Sequence, residues 1–256
     1  MSANNESVNV VLMAGGYGTR LYPLTKDRPK ALLPLGQGVI LDRILGSVKQ
    51  VPNLSKTVLV SNHRFFAQFQ AWQQAGKHPV EVIDDGTSTP ETRLGAIRDL
   101  HMAMERLAPA EDVLVLGTDN LFTWSLAEFV QFGKMKRPAC AIAIREAPSA
   151  QEASRCLVVE VGEQDRLLRC VEKPSHPASK MVGLCIYYFP PAGRRRIEQF
   201  IRDGGSVDAP GFFIERLATQ EPVYGFPTGG EWFDIGSPES YQEAAERLTA
   251  PAPGSK

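Results

Sequence analysis

Val8-Asn-Val-Val-Leu-Met-Ala-Gly15-Gly-Tyr-Gly18-Thr-Arg20-Leu21 is the stretch on which the fold turns. Val8 to Ala14 is an apolar run of strand-forming residues, and it breaks at once into glycines. A strand ending in a glycine-rich turn opens a βα unit, and an open α/β sheet binds its ligand at that edge. Glycines there let the backbone approach a ligand closely, and successive N–H groups form an anion-binding nest. Arg20 adds a planar fork of donors matched to phosphate oxygens. Lys30, behind a turn stiffened by Pro23 and Pro29, supplies a second cation. Ala14, Gly15, Gly16, Gly18 and Thr19 are therefore the candidate phosphate loop, with Arg20 and Lys30 as its candidate catalytic cations. Two other glycine-rich designs do not match. The dinucleotide fingerprint needs a third glycine where Leu21 stands, and a P-loop needs a G-K-[ST] that does not follow.

Outward from this stretch, the first half alternates apolar strand-like runs with helical patterns. The runs are Val8 to Ala14, Thr57 to Ser61, Val80 to Ile83 and Asp112 to Gly117; the helical stripes are Leu41, Ile44, Leu45, Val48, then Phe65, Phe69, Trp72, then Leu94, Ile97, His101, Met104. That alternation predicts a sheet of βα units. Ser125-Leu-Ala-Glu128 has capping-box spacing and starts another helix. After residue 137 the runs crowd together, at Cys140 to Arg145, Cys156 to Val161, Leu167 to Val171 and Gly183 to Phe189, which predicts antiparallel strands added to the parallel set. Helices near 194–202 and 212–219, a strand at Val223 to Phe226 and a last helix from Pro238 to Leu248 complete the chain. The expected organisation is one domain over residues 8–248, with loose termini at 1–7 and 249–256.

The 256 residues are 43% hydrophobic and 22% charged, enough for one substantial core, and the net charge of −1 gives no electrostatic reason to expect nucleic acid or an anionic membrane as partner. No apolar run approaches the ~20 residues of a spanning helix, so a cytoplasmic protein is expected. Cys140, Cys156, Cys170 and Cys185 form no C-x-x-C pair and sit in apolar stretches, which reads as buried free thiols.

The run from Gly16 to Leu35, Gly-Tyr-Gly-Thr-Arg-Leu-Tyr-Pro-Leu-Thr-Lys-Asp-Arg-Pro-Lys-Ala-Leu-Leu-Pro-Leu, resembles the signature of the sugar-1-phosphate nucleotidylyltransferases. The resemblance extends over roughly residues 8 to 245. It implies a Rossmann-like, mixed and mostly parallel sheet flanked by helices, of the nucleotide-diphospho-sugar transferase or GT-A-like kind. It implies an enzyme that joins a nucleoside monophosphate from an NTP to a sugar 1-phosphate and releases pyrophosphate with Mg²⁺. In that family the glycine loop holds the NTP, the arginine matched by Arg20 stabilises the departing pyrophosphate, and the lysine matched by Lys30 contacts the phosphates.

Chemistry at an α-phosphorus needs the triphosphate charge neutralised, which Mg²⁺ does with one or two carboxylates. Asp119, in Gly117-Thr-Asp-Asn, ends an apolar run, and Asp234 stands in Trp232-Phe-Asp-Ile-Gly. A capping role is already filled for each, by Ser125 with Glu128 and by Ser237 with Pro238 at N1. Both match the family's metal-holding aspartates. Glu172-Lys173-Pro174 ends a strand-like run, its acid and base expected on opposite faces. By resemblance, Lys173 binds the acceptor phosphate, and Glu172, Asn120 and Gly183 lie around the acceptor. The base-contacting G-L-A or G-T-A segment of many members is here Asp84-Asp-Gly-Thr-Ser-Thr-Pro-Glu-Thr-Arg-Leu-Gly95-Ala, so base identity stays open. Asp85, Gly86, Thr87 and Arg93 are the candidates near the nucleoside. A cyclitol phosphate or phosphorylated amino alcohol as acceptor, a non-catalytic nucleotide-binding regulator, and assembly as a homo-oligomer stay open as alternatives.

Overall fold

The computed structural model describes residues 7 to 249. Most of the two expected loose termini lies outside the described residues. In chain order the strands are β1 (Val8–Ala14), β2 (Pro34–Leu35), β3 (Gly38–Val39), β4 (Leu54–Ser61), β5 (Glu81–Asp84), β6 (Asp112–Gly117), β7 (Asn120–Phe122), β8 (Cys140–Glu146), β9 (Leu157–Val161), β10 (Leu167–Glu172), β11 (Met181–Phe189), β12 (Val223–Pro227) and β13 (Trp232–Asp234). The α-helices are α1 (Ile40–Val48), α2 (His63–Gly76), α3 (Ala96–Glu105), α4 (Leu126–Met135), α5 (Ala150–Ala153), α6 (Pro191–Arg202), α7 (Pro210–Gln220) and α8 (Pro238–Thr249).

The central sheet runs β10-β9-β11-β6-β1-β4-β5, with β8 on the other edge of β11 and β12 outside β8. The pairings make β5, β4, β1, β6, β8, β9 and β12 point one way, and only β10 and β11 the other. The sheet is thus mixed and mostly parallel. The crowded runs after residue 137 do supply the antiparallel strands, yet β12 returns parallel to β8, because α6 and α7 carry the chain back across the sheet before it pairs.

Both faces are covered, which is why the strands read as continuous apolar runs instead of alternating ones. One face sets Val10, Leu12, Leu114, Leu116 and Tyr188 against α1, α2 and α4, through Ile44, Phe65, Phe69 and Phe129. The other sets Val11, Val113, Val115 and Phe189 against α3, α6 and α7, through Ile97, Leu100, Ile197, Phe213 and Ile214. Each such side chain removed from water contributes about 1.5–3 kcal/mol. In the α3 stripe, Leu94 lies before the helix and His101 is half-buried; Leu100 and Ala103 face the core beside Ile97 and Met104.

Two features of this sheet position the site. The first is the edge where β1, β4 and β5 all end, leaving the loops after Ala14, Ser61 and Asp84 side by side. The second is β11, whose ladder changes from β9 at Val182 and Gly183 to β6 from Ile186 onward. The end of β6 and the start of β9 therefore open onto the same cleft. The antiparallel pair β7 and β13 borders it, with Asp234 opposite Asn120.

Candidate active site

At the first edge three loops are laced together. Asn62, directly after β4, caps α2 by accepting from Phe65 N at 3.1 Å and donates its amide to the Gly15 carbonyl at 3.0 Å. Tyr17 Oη and Thr87 Oγ1 are 3.0 Å apart, and Thr87 donates from N and Oγ1 to Asp85 Oδ1 at 2.6 and 2.7 Å. Gly18 has φ of 63°, a left-handed conformation that glycine adopts freely, and its carbonyl accepts from Thr25 Oγ1 at 2.7 Å. Gly16 and Thr19 are exposed on this loop.

Beneath Gly15 lie two buried carboxyls. A Cβ at Gly15 would stand 2.5 Å from Asp99 Oδ2 and 3.4 Å from Asp85 Oδ2, so only glycine fits. Burial, and then repulsion from Asp85, pushes the Asp99 carboxyl up to about 7, and its Oδ1 has no hydrogen-bond partner. Asp85 is also raised by burial, partly offset by its bonds from Thr87. Gly86 takes φ of 78° beside them. Arg93 is drawn elsewhere: it donates to Asp208 Oδ1 from Nε at 3.2 Å and Nη2 at 2.9 Å, and to the Pro90 carbonyl, tying two exposed loops together. Gly95, at φ of 93°, starts α3 so close to Val207 that a Cβ would meet the Val207 carbonyl oxygen at 2.5 Å.

The two sequence-predicted metal aspartates come together. Pairing of β7 with β13, plus the bond from Ile235 N to the Asp119 carbonyl at 2.9 Å, sets Asp119 and Asp234 side by side. Lys30 Nζ donates to Asp119 Oδ2 at 2.8 Å, Asn120 Nδ2 donates to Asp119 Oδ1 at 2.7 Å, and Trp232 Nε1 donates to Asn120 Oδ1 at 2.7 Å. Burial works against ionisation of Asp119, but the charge and hydrogen bond of Lys30 hold its carboxyl below the usual range. Asp234 goes the other way, up to about 6, through burial and the Asp119 charge, with Lys30, Arg20 and Arg155 opposing. Arg20 reaches this pair: a Cβ at Gly236 would stand 3.3 Å from Asp234 Oδ2 and 3.7 Å from both Arg20 Nη atoms.

Glu172 and Lys173 depart from the opposite-face expectation. Lys173 has φ of 48°, which ends the strand alternation and turns its side chain back, so Nζ lies 3.6 Å from Glu172 Oε1. The Lys173 N–H donates to the Cys156 carbonyl at 3.0 Å and that of Glu172 to Glu215 Oε2 at 2.9 Å. Burial raises the Glu172 carboxyl, with Lys173 opposing. Gly183 packs under Ile142 and Leu157, and the β11–β8 register shifts just after it, the signature of a bulge. Ser237 caps α8 as expected, receiving Ser240 N at 3.2 Å, whereas Ser125 precedes α4 without any side-chain capping bond.

Asn62, Asp99, Arg145 and Arg155 belong to these surroundings and were not singled out by sequence. Asn62 reads fully as a helix cap, and Asp99 breaks no periodicity, so neither gave a signal.

Comparison with known proteins identifies the family and the fold. The family model described as nucleotidyl transferase matches residues 9–250. A mannose-1-phosphate guanylyltransferase catalytic subunit beta of Drosophila pseudoobscura pseudoobscura is 28% identical over 232 residues, 90% of this chain and 60% of that protein. A glucose-1-phosphate adenylyltransferase of Thermosipho africanus is 32% identical over 145 residues, 56% of this chain and 35% of that one. The chain spans about three fifths of the length of the curated relatives matched along most of it. A solved structure of UDP-glucose pyrophosphorylase complexed with UDP-glucose superposes with a TM-score of 0.77 at 17% identity, over 94% of this chain and 98% of that one, and so shares the fold. Since the family match runs from the first strand to the last helix and takes in the glycine loop and both aspartates, the chain belongs to the nucleotidyl transferase family.

Proposed function

We propose that this protein transfers a nucleoside monophosphate from an NTP to a sugar 1-phosphate. The observation that carries the reading is the recessed pair Asp119 and Asp234, flanked by Lys30 and Arg20 and adjoining a glycine loop. The acceptor's phosphate oxygen attacks the α-phosphorus in line; the bond from that phosphorus to the β-phosphate oxygen breaks, and pyrophosphate leaves with the bonding electrons. No covalent enzyme intermediate is needed, so catalysis is positioning and charge stabilisation. The backbone N–H groups of Gly15 to Thr19 face the NTP phosphates, Arg20 and Lys30 stabilise the departing pyrophosphate, and Lys173 holds the attacking phosphate.

Two carboxylates that repel each other in a half-buried cleft fit a divalent cation. Among the described residues no third His, Cys, Asp or Glu joins them, which suits Mg²⁺, whose remaining ligands are phosphate oxygens and water. Asp119 and Asp234 would hold it, and it would supply neutralisation of the triphosphate charge. Lys30 keeps Asp119 ionised and ready for that role.

Pyrophosphate release by the purified chain, over a panel of NTPs and sugar 1-phosphates with Mg²⁺, tests the reading. Asp119→Ala and Lys173→Ala are each expected to reduce turnover about 10²–10³-fold with an unchanged melting curve. Ordinary turnover in either variant, or none by the wild type on any pair, overturns it.

A further inference from the structure

Beside Asp234 a cavity of about 600 Å³ opens between α5, β13 and α8. Its acidic side chains, Asp234 apart, each have a partner within the protein, although a serine hydroxyl leaves the charges of Glu152 and Glu239 in place. Glu231 and Glu243 are both paired with Arg247, Glu152 is held by Ser149 Oγ at 3.4 Å, and Glu239 is hydrogen-bonded to Ser237. Arg247 is thereby spent. Three guanidinium groups on the cavity wall remain, those of Arg20, Arg145 and Arg155, and among the described residues none of them enters an ion pair.

Arg145 is the most telling. Its Nε donates to the Glu146 carbonyl at 3.3 Å and its guanidinium lies 5.5 Å over the Trp232 ring, yet its Nη1 is buried without a hydrogen-bond partner. A guanidinium fixed against an aromatic face with a buried idle donor is set up for an anion that is absent from the protein itself. Arg155 stands on the same wall, and its charge reaches Asp234. The wall also includes Cys156, whose carbonyl holds the Lys173 backbone, and Val182, next to Gly183. The cavity therefore borders the acceptor side.

In the proposed reaction the acceptor phosphate has Lys173 and the leaving pyrophosphate has Arg20 and Lys30, which leaves Arg145 and Arg155 without an assigned substrate group. We infer that the acceptor carries a second anionic group, a carboxylate or a second phosphate, bound by Arg145 and Arg155. This rests on the nucleotidyl-transfer reading and narrows its substrate class.

The test compares hexose 1-phosphates with the matching hexuronate 1-phosphates and hexose 1,6-bisphosphates, using the full chain and pyrophosphate release. The doubly acidic acceptors are expected to show kcat/KM about tenfold or more above their singly acidic counterparts. Arg145→Gln and Arg155→Gln are each expected to raise KM for the doubly acidic acceptor about tenfold, with kcat and the KM for NTP held. Equal use of singly acidic acceptors overturns the inference while leaving nucleotidyl transfer standing. A rise in the KM for NTP, or weakened inhibition by pyrophosphate, also overturns it, by giving the arginines to the triphosphate. Calorimetry with hexose 1,6-bisphosphate and hexose 1-phosphate reads the same site without turnover. Equal affinity of the wild type for the two sinks the inference even where no pyrophosphate is released. Arg145→Lys replaces Arg145→Gln if the latter fails to melt cooperatively.

Discussion

Asp99 shows how little of a residue's situation its type discloses. On α3 it occupies a buried position whose neighbours are Gly15 and a second carboxyl, Asp85. Its folded pKa of about 7 lies above the unfolded value of roughly 3.9, so the folded protein holds a proton that the unfolded chain releases. The sign follows: Asp99 costs nothing below about pH 4, and its cost grows as pH rises, reaching its full size, up to about 4 kcal/mol, above pH 7. Asp99→Asn removes that cost. Thermal melts should show the variant more stable than wild type by several degrees at pH 8, with the gap closing toward pH 5. A gap that does not change with pH would mean the carboxyl is not held in its neutral form. Asp119 and Asp234 make the complementary point: two aspartates in one cleft are driven in opposite directions, because Lys30 bonds one of them directly and only approaches the other.

Among elements, the short pair β7 and β13 decides whether there is a site at all. Each is only three residues long, too short for an alternating pattern to announce it. Their pairing is anchored by Trp232 Nε1 donating to Asn120 Oδ1, and Asn120 in turn orients Asp119. Trp232→Phe keeps an aromatic, smaller ring and deletes the donor, leaving a buried amide oxygen unpaired. The expected cost is about 1–3 kcal/mol of stability by chemical denaturation, together with a fall in turnover as Asp119 loses its orientation. Unchanged stability and rate would show that backbone pairing alone holds the two strands. The tilt of Lys173 toward Glu172 has the same origin, since one left-handed residue at the end of β10 outweighs the alternation that its run of residues predicts.

Across the whole molecule, a sheet packed on both faces leaves its polar exceptions at one end and its thiols inside. The free cysteines Cys140 and Cys170 are buried, while Cys156 and Cys185 are half-buried at the cleft. Burial above all pushes every thiol up, Cys156 to about 11 and Cys170 to about 12, with Cys140 and Cys185 higher still. Thiolate is the reactive species, so at pH 8 the native protein should react only slowly with dithionitrobenzoate, whereas the four thiols react at once in guanidinium. Prompt labelling of the native chain would show that the cleft opens far enough to hydrate Cys156 or Cys185.

The sequence by itself determined the βα alternation, the glycine loop after β1, the mixed sheet and the chemical character of Arg20, Lys30, Asp119, Lys173 and Asp234. Those features are local: strand-forming runs, glycines and charged residues at turns declare themselves within a few neighbours. Only the tertiary structure decided that Asp119 and Asp234, more than a hundred residues apart in sequence, are set side by side by a hydrogen-bonded pair of strands. It alone placed Asp99 beneath Gly15, drew Arg93 to Asp208, and left Arg145 and Arg155 facing one cavity. Burial, counter-charge and an idle donor belong to what surrounds a side chain in space, and no spacing along the chain encodes that surrounding.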